Sequence, residues 1–260
     1  MAASVVEPST VAPSKPSRRP GAKLKRHNTM VAWTFILPNF IGFASLTLVP
    51  VIALFYISFT NWNAFGSAGF VGTSNFVRLI NDGSFRIALR NTVVYSLMYI
   101  PMTLVVSLGL ALLLNSKLRG VAFFRTASFF PYITSIVAIA MVWNILFSPE
   151  YGPINQILRF IGIDNPPGWL TSQTWALPAV ALISMWRDAG YYMILFLAGL
   201  QTIPRELYEA ARVDGANSWR QFWNITLPGL RPTTFFVTVM MTIGSFKILD
   251  LVLVLTRGGP

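Results

Sequence analysis

The amino-acid sequence predicts an all-α integral membrane protein, built as a polytopic bundle of helices. The 260 residues are 54% hydrophobic and only 11% charged, with a mean hydropathy of +0.57, whereas a soluble domain normally carries about 25% charged residues. Five stretches of the chain meet the requirement of roughly 20 apolar residues for a helix that crosses ~30 Å of hydrocarbon. Because lipid offers the backbone no hydrogen-bond partner, each stretch is expected to be helical.

The predicted crossings span residues 31–59, 91–114, 127–147, 175–200 and 233–254. Prolines lie within these segments or near their ends, at Pro38, Pro50, Pro101, Pro131 and Pro178. Prolines are tolerated in bundled membrane helices, where they introduce kinks. We therefore expect bent helices within one transmembrane domain, residues 30–260.

Residues 1–29, which include SKPSRRPGAKLKRH, precede the first predicted crossing. They are rich in Pro, Ser, Lys and Arg, and we expect a disordered tail because too little apolar surface is available to offset the entropy of ordering. The apolar run that follows, Val31 to Phe59, is far longer than the core of about 7 to 15 residues in a signal peptide, and it lacks a small-residue cleavage site. It is interpreted as an uncleaved anchor.

The distribution of Lys and Arg predicts which side of the membrane each segment faces. With the N-terminus in the cytoplasm, thirteen basic residues lie on the cytoplasmic side and five on the other. The thirteen are Lys15, Arg18, Arg19, Lys23, Lys25, Arg26, Lys117, Arg119, Arg125, Arg205, Arg212, Arg220 and Arg231, and the five are Arg78, Arg86, Arg90, Arg159 and Arg257. Basic residues are enriched in cytoplasmic segments, so the N-terminus and residues 201–232 are predicted to be cytoplasmic. The net charge of +11 is thus explained by topology, and we expect no nucleic-acid partner.

The chain carries no recognisable constellation for chemistry. None of its five lysines follows a glycine, so the Gly-Lys-Ser/Thr element of a nucleotide-binding P-loop is absent. It has no cysteine, a single histidine, His27, and no HExxH, so no metal site is expected. Gly66-Ser67 does not fit the Gly-x-Ser-x-Gly pattern of a nucleophile elbow. We expect a non-catalytic protein without a bound cofactor.

Residues 201–232 interrupt the apolar pattern with EAARVDGANSWRQFWNITLP. Pro204 suits the first turn of a helix, with Thr202 as a candidate cap. The pair Asp214-Gly215 should end this helix, because glycine readily takes the positive φ of a helix stop, and Asn217 should cap a second short helix. On the second helix, Trp219, Phe222 and Trp223 form an apolar stripe. Two interpretations remain open: the aromatic stripe lies in the lipid interface, or it docks into a groove of a cytosolic partner.

The spacing Glu209-Ala210-Ala211, Gly215, Ile225, Leu227, Pro228 resembles the conserved cytoplasmic loop of permease subunits of bacterial ATP-binding-cassette (ABC) importers. The surrounding LAGLQTIPRELYEAARVDGA is similar to the carbohydrate-uptake permeases, of the type related to the inner-membrane maltose and glycerol-3-phosphate permeases. FVGTSNFVRLI after the first crossing and LTRGGP at the end are similar to the same type.

This resemblance implies a type I ABC importer permease in the bacterial inner membrane, and a core of six helices of which five are visible, so a truncated chain is expected. It also implies that the two short helices insert into a cleft of an ATPase subunit. The residues assigned to this contact are Glu206, Glu209, Ala210, Ala211, Asp214, Gly215, Trp219, Phe222, Trp223, Ile225, Leu227 and Pro228. The implied partners are a second permease subunit, a dimer of ATP-binding subunits that holds ATP and Mg, an extracytoplasmic solute-binding protein, and membrane lipid.

Polar residues inside the crossings indicate a functional site, because a charge at membrane depth is unfavourable by ~2.5 to 3.5 kcal/mol on insertion scales. Candidates for a substrate pathway are Asn144, Arg187, Asp188, Tyr191, Tyr192, Lys247 and Asp250. Two structural alternatives stand beside this hypothesis: Lys247 and Asp250 neutralise each other on one helix, and Arg187 marks a water-filled break. For the whole protein, the main interpretation is a subunit of an ATP-driven carbohydrate importer. The alternative is a secondary transporter of a small polar solute, driven by an ion gradient, and a membrane-embedded enzyme is disfavoured.

Overall fold

The computed structural model describes residues 22–63, 66, 69–115 and 120–259. Most of the predicted tail, together with Lys117 and Arg119, lies outside the described residues. The described residues are helical apart from loops and an isolated antiparallel bridge between Thr60 and Phe70. They divide into two compact units, which meet in sequence between Asp82 and Gly83.

The first unit contains the predicted anchor. Helix α1 (Ala22–Phe43) continues through a π-helical turn (Ala44–Leu48) into α2 (Val49–Ile57). Helix α1 therefore begins within the segment 1–29 that was predicted to be disordered, because AKLKRHNT contains no proline or glycine and is rich in good helix formers. Residues Val31–Ile57 are long and apolar enough to cross a membrane. A short helix, α3 (Ser74–Asn81), ends this unit.

In the second unit, two long helices form the centre of the bundle. These are α4 (Gly83–Leu114) and α8 (Ala176–Gln201), which pack against each other. In the most apolar 18-residue stretch of each helix, 61% of α8 is buried, against 22% of α4. Helix α8 is therefore the core helix. Gly190 permits a close approach of helix α5 (Val121–Ile133), because a Cβ at this position would overlap the carbonyl of Ser128.

The third predicted crossing, 127–147, is not one helix. The chain forms α5 (Val121–Ile133) and α6 (Ile136–Leu146), which are inclined by 96° across a short break. The break follows Pro131, which is buried, and Thr134 takes an extended backbone conformation with ψ of 146°. A proline near a helix end removes a backbone donor and favours such a turn. The short helix α7 (Pro153–Phe160) precedes α8.

After α8 come α9 (Arg205–Val213), α10 (Ser218–Gln221), a π-helical turn (Phe222–Thr226) and α11 (Leu227–Gly229).

The fifth predicted crossing is also divided. The chain then forms α12 (Arg231–Phe246) and α13 (Asp250–Thr256), which are bent by 49°. Among the described residues, three helices are long and apolar enough to cross a membrane, and up to five crossings result if each bent pair counts as one.

Candidate functional site

A cavity of about 350 Å³ lies within the second unit, and it collects most of the predicted pathway residues. Its walls come from α4, α5, α8 and α12, from the start of α6 and α13, and from the break between α12 and α13. The predicted residues that line it are Arg187, Asp188, Tyr191, Tyr192, Lys247 and Asp250. Residues more than 50 positions apart in sequence therefore form one polar site.

An ion pair on α8 organises one wall of this cavity. The Nε of Arg187 donates to Oδ1 of Asp188 at 2.6 Å, and Nη2 of Arg187 donates to Oδ2 at 3.0 Å. The hydroxyl of Tyr99, on α4, donates to the same Oδ2 at 2.8 Å. Asp188 is only 5% exposed, and a buried carboxylate is tolerated when it is paired and hydrogen-bonded in this way. Helix α8 runs unbroken through Arg187, so the alternative that Arg187 marks a helix break is wrong.

Tyrosines form the other prominent part of the cavity wall. Tyr132 and Tyr191 stack with ring centroids 4.4 Å apart and planes inclined by 11°. Tyr95 and Tyr99 stack at 5.4 Å and 7°, and all four rings line the cavity.

Three of these tyrosines, Tyr95, Tyr99 and Tyr132, were not among the predicted site residues. A signal was present in the sequence, because Tyr95 and Tyr99 are four residues apart and therefore share one face of a helix. Neither lies beside a charge in the sequence, and only the fold brings Tyr99 to Asp188.

Lys247 and Asp250 line the cavity from the break between α12 and α13. Lys247 is the residue that follows α12, and Asp250 is the first residue of α13. They do not share a helix and form no ion pair, whereas Arg187 and Asp188 do. The alternative that Lys247 and Asp250 neutralise each other on one helix is therefore wrong.

The structure separates Asn144 from the other predicted pathway residues. Its side-chain amide donates to the carbonyl of Ala140 at 3.2 Å. It lines a different cavity, of about 310 Å³, together with residues of the loop after α6 such as Ser148 and Glu150. In the sequence, Asn144 is only a polar residue near the end of a predicted crossing, and this pattern does not show which of the two cavities the residue lines.

The segment between α8 and α12, residues 202–230, is here called the loop. Gly215 ends the first part of the loop with φ of 73°, as predicted. The side chain of Asn217 accepts a hydrogen bond from the backbone N–H of Arg220 at 2.9 Å, which confirms the predicted cap. Pro204, not Thr202, stands at the N-cap of α9, because the Thr202 hydroxyl donates back to the carbonyl of Gly199 at 2.7 Å.

A hydrogen bond that was not predicted joins the two parts of the loop. The hydroxyls of Tyr208, on α9, and Thr226, in the π-helical turn, lie 2.9 Å apart. Tyr208 and Ile225 also pack against the core of the bundle. The bend at Gly215 is therefore supported from the side that faces the bundle.

The outer side of the loop is exposed. Trp219 is 68% exposed and Trp223 is 49% exposed, and both contact Phe222 in a three-ring cluster. The exposed residues among those predicted to contact a partner are Glu206, Glu209, Ala210, Asp214, Gly215, Trp219 and Trp223, and the partly buried ones are Ala211, Phe222, Ile225, Leu227 and Pro228. Large exposed aromatic side chains beside charged ones are typical of a surface that another molecule covers.

Comparison with known proteins identifies relatives of this chain. Residues 104–260 match the family described as "Binding-protein-dependent transport system inner membrane component". The lactose transport system permease protein LacF of Rhizobium radiobacter is 38% identical over 243 residues, covering 92% of this chain and 81% of that protein. The sn-glycerol-3-phosphate transport system permease protein UgpA of Agrobacterium fabrum is 36% identical, covering 90% of this chain and 80% of that protein.

A solved structure has the same fold. It is the crystal structure of a bacterial ABC transporter involved in the import of the acidic polysaccharide alginate, and the match has a TM-score of 0.73 at 26% identity, covering 90% of this chain and 82% of that chain. The helical bundle described above is therefore a type I importer permease fold. The chain belongs to the family of binding-protein-dependent transport system inner membrane components, the integral membrane permeases of ABC importers.

Proposed function

We propose that this chain forms one half of the transmembrane pathway of an ATP-driven carbohydrate importer in the bacterial inner membrane, and that the cavity on α8 is its solute pathway. The observation that carries the proposal is that stacked tyrosines and hydrogen-bonded charges line one cavity inside the bundle. Sugar rings present apolar faces that pack on aromatic rings, and hydroxyls that pair with polar groups. Relatives named for lactose and for trehalose and maltose transport support the assignment to carbohydrates.

The loop is the proposed contact with the ATPase. It leaves α8, whose residues Arg187, Asp188 and Tyr191 line the cavity, and it leads into α12, which Lys247 follows on the same cavity. A force on the exposed cluster of Trp219 and Trp223 is therefore delivered to two helices that line the pathway. In this mechanism two ATPases close on ATP, and the loop converts that closure into a change of access to the cavity.

The proposed sidedness follows from the basic residues. The excess of Lys and Arg in the N-terminal tail and around the loop supports a cytoplasmic location for both. ATP and Mg would be held by the ATP-binding subunits, because this chain has no P-loop. The solute-binding protein would deliver the solute on the opposite side. One solved relative is described as the alginate ABC transporter "in complex with alginate pentasaccharide-bound periplasmic protein", which supports such a partner.

The absence of cysteine from the chain permits a direct test. A single cysteine at Glu209 or Trp219 should crosslink to an ATP-binding subunit in intact cells. A single cysteine at Glu150, which is exposed on the predicted opposite side, is the matched control and should not. Recovery of lipid adducts alone from Glu209→Cys and Trp219→Cys would contradict the proposed contact.

An uptake experiment separates the proposal from the ion-gradient alternative. Cells that carry the complete importer are depleted of ATP in one arm and treated with a protonophore in the other. We expect ATP depletion to stop chain-dependent uptake, and restored ATP to sustain it in the presence of the protonophore. The opposite pattern would identify a secondary transporter.

A further inference from the structure

The charges in the cavity wall carry information about the solute. Four charged side chains line the cavity, the basic Arg187 and Lys247 and the acidic Asp188 and Asp250, so their formal charges sum to zero. We propose that the half of the pathway contributed by this chain accepts uncharged sugars and disfavours solutes that carry a phosphate or a carboxylate. This inference rests on the proposed function and adds a solute class to it.

The Nε–Nη2 edge of Arg187 is not available as a bidentate receptor for an anion. Both Nε and Nη2 of its guanidinium donate to the carboxylate of Asp188. A solute phosphate or carboxylate that took over this planar fork would displace Asp188, which is 5% exposed. Removal of one partner from a buried ion pair leaves an uncompensated charge, which is strongly unfavourable. The role of Arg187 is therefore to hold Asp188 in position beside Tyr99.

Lys247 is the remaining cation, and it does not stand alone. Asp250 lines the same cavity three residues later, on the other side of the helix break. An anion in this cavity would be attracted by Lys247 and repelled by Asp250, so the two contributions oppose each other. By contrast, the hydroxyls of a sugar can donate to a carboxylate and accept from an ammonium.

The rest of the polar lining is suited to an uncharged ligand. Five tyrosines line the cavity, namely Tyr95, Tyr99, Tyr132, Tyr191 and Tyr192. The face of an aromatic ring carries partial negative charge, which disfavours an anion and favours the C–H face of a sugar. Tyr132 is 40% exposed in the stacked pair that it forms with Tyr191, so a ring surface is accessible.

Overall sequence similarity does not show whether the solute is neutral or charged. A relative named for lactose and one named for glycerol 3-phosphate match the chain at 38% and 36% identity. The charge balance and the pairing of Arg187 are therefore the observations that separate the two classes.

The test uses cells that express the complete importer, with a strain lacking this chain as the reference. The cells receive a mixture of lactose, maltose, arabinooligosaccharides, glycerol 3-phosphate and alginate oligosaccharides, and mass spectrometry measures which components enter only when the chain is present. Uptake of a neutral sugar, at least about tenfold above any charged component, is the expected result and corresponds to about 1.4 kcal/mol of discrimination. Preferential uptake of glycerol 3-phosphate or alginate oligosaccharides would overturn the inference and leave the proposed function intact. No chain-dependent uptake from an assembled complex would instead overturn the proposed function.

A charge variant tests the electrostatic argument itself. Asp250→Asn leaves Lys247 uncompensated, so the ratio of charged to neutral uptake should rise, whereas the matched control Asp250→Glu keeps the charge and should keep the ratio. A purely structural role for Asp250 would lower all components together. An unchanged ratio in Asp250→Asn would contradict the inference.

Discussion

The cavity and the loop both concentrate polar and aromatic residues, yet the two regions arrange them differently. In the cavity, Asp188 is 5% exposed and accepts hydrogen bonds from both Arg187 and Tyr99. In the loop, Trp219 is 68% exposed, and Glu209 forms no ion pair with any described residue. Groups that are satisfied within the chain organise a rigid site, whereas exposed aromatic and charged groups are left for another molecule. The comparison predicts that removal of the buried charges in the cavity lowers the free energy of unfolding. Substitutions in the exposed part of the loop should instead weaken association with the ATP-binding subunit.

The largest effect is expected for Asp188→Ala. It leaves the guanidinium of Arg187 without its partner inside the bundle, which should lower the free energy of unfolding by about 3–5 kcal/mol. Thermal unfolding of the purified complex in detergent measures this loss. Asp164→Ala removes an exposed loop carboxylate and is the control with little effect. Equal stability of the two variants would mean that the cavity charges do not organise the bundle.

A pair of glycine variants compares packing within the bundle. Gly190→Ala places a Cβ against the carbonyl of Ser128, so α5 and α8 must separate, which should destabilise the protein by about 2–3 kcal/mol. Gly109→Ala, in α4, meets no atom within 4 Å and should not destabilise the protein, because alanine favours a helix more than glycine does. Detergent unfolding temperatures check both variants. Tolerance of Gly190→Ala would show that α5 and α8 do not require this close contact.

Trp219→Ala should separate association from folding. Because the indole is mostly exposed, its loss should change the free energy of unfolding by less than about 0.5 kcal/mol. Loss of a buried aromatic anchor at an interface weakens binding by about 2 kcal/mol or more, so copurification of the ATP-binding subunit should fall. Trp62→Ala, which removes a 45% exposed tryptophan of the first unit, is the control. Normal copurification of Trp219→Ala would remove the loop from the contact surface.

The smallest effect is expected for a substitution at the bend of the loop. Gly215 has φ of 73°, and a valine there is strained by about 1–2 kcal/mol. We expect Gly215→Val to insert into the membrane but to uncouple ATP hydrolysis from uptake, which the ratio of the two rates in proteoliposomes measures. Gly215→Asn should retain coupling, since asparagine tolerates this conformation. Normal coupling in Gly215→Val would exclude the bend from the mechanism.

Local chemistry made the loop predictable. The helix stop at Gly215 and the cap at Asn217 depend on residues within one or two turns, and both were found where the sequence placed them. The long crossing through α8 was equally clear, because the thickness of a bilayer sets the length of an apolar helix. Bends at prolines such as Pro131 were expected, but the division of the third and fifth crossings into two helices each was not, since an apolar segment is compatible with one helix or two. The bends depend on how α6 and α13 pack against each other.

The sequence by itself determined that this chain is a membrane helical bundle with a charged, bent loop between two of its crossings, because hydropathy, proline and glycine act over short distances. Only the tertiary structure decided which polar groups meet. The hydrogen bond between Tyr99 and Asp188 joins residues 89 positions apart, and Tyr132 reaches Tyr191 across the contact of α5 with α8. Such pairs depend on the packing of whole helices, and no local pattern encodes them.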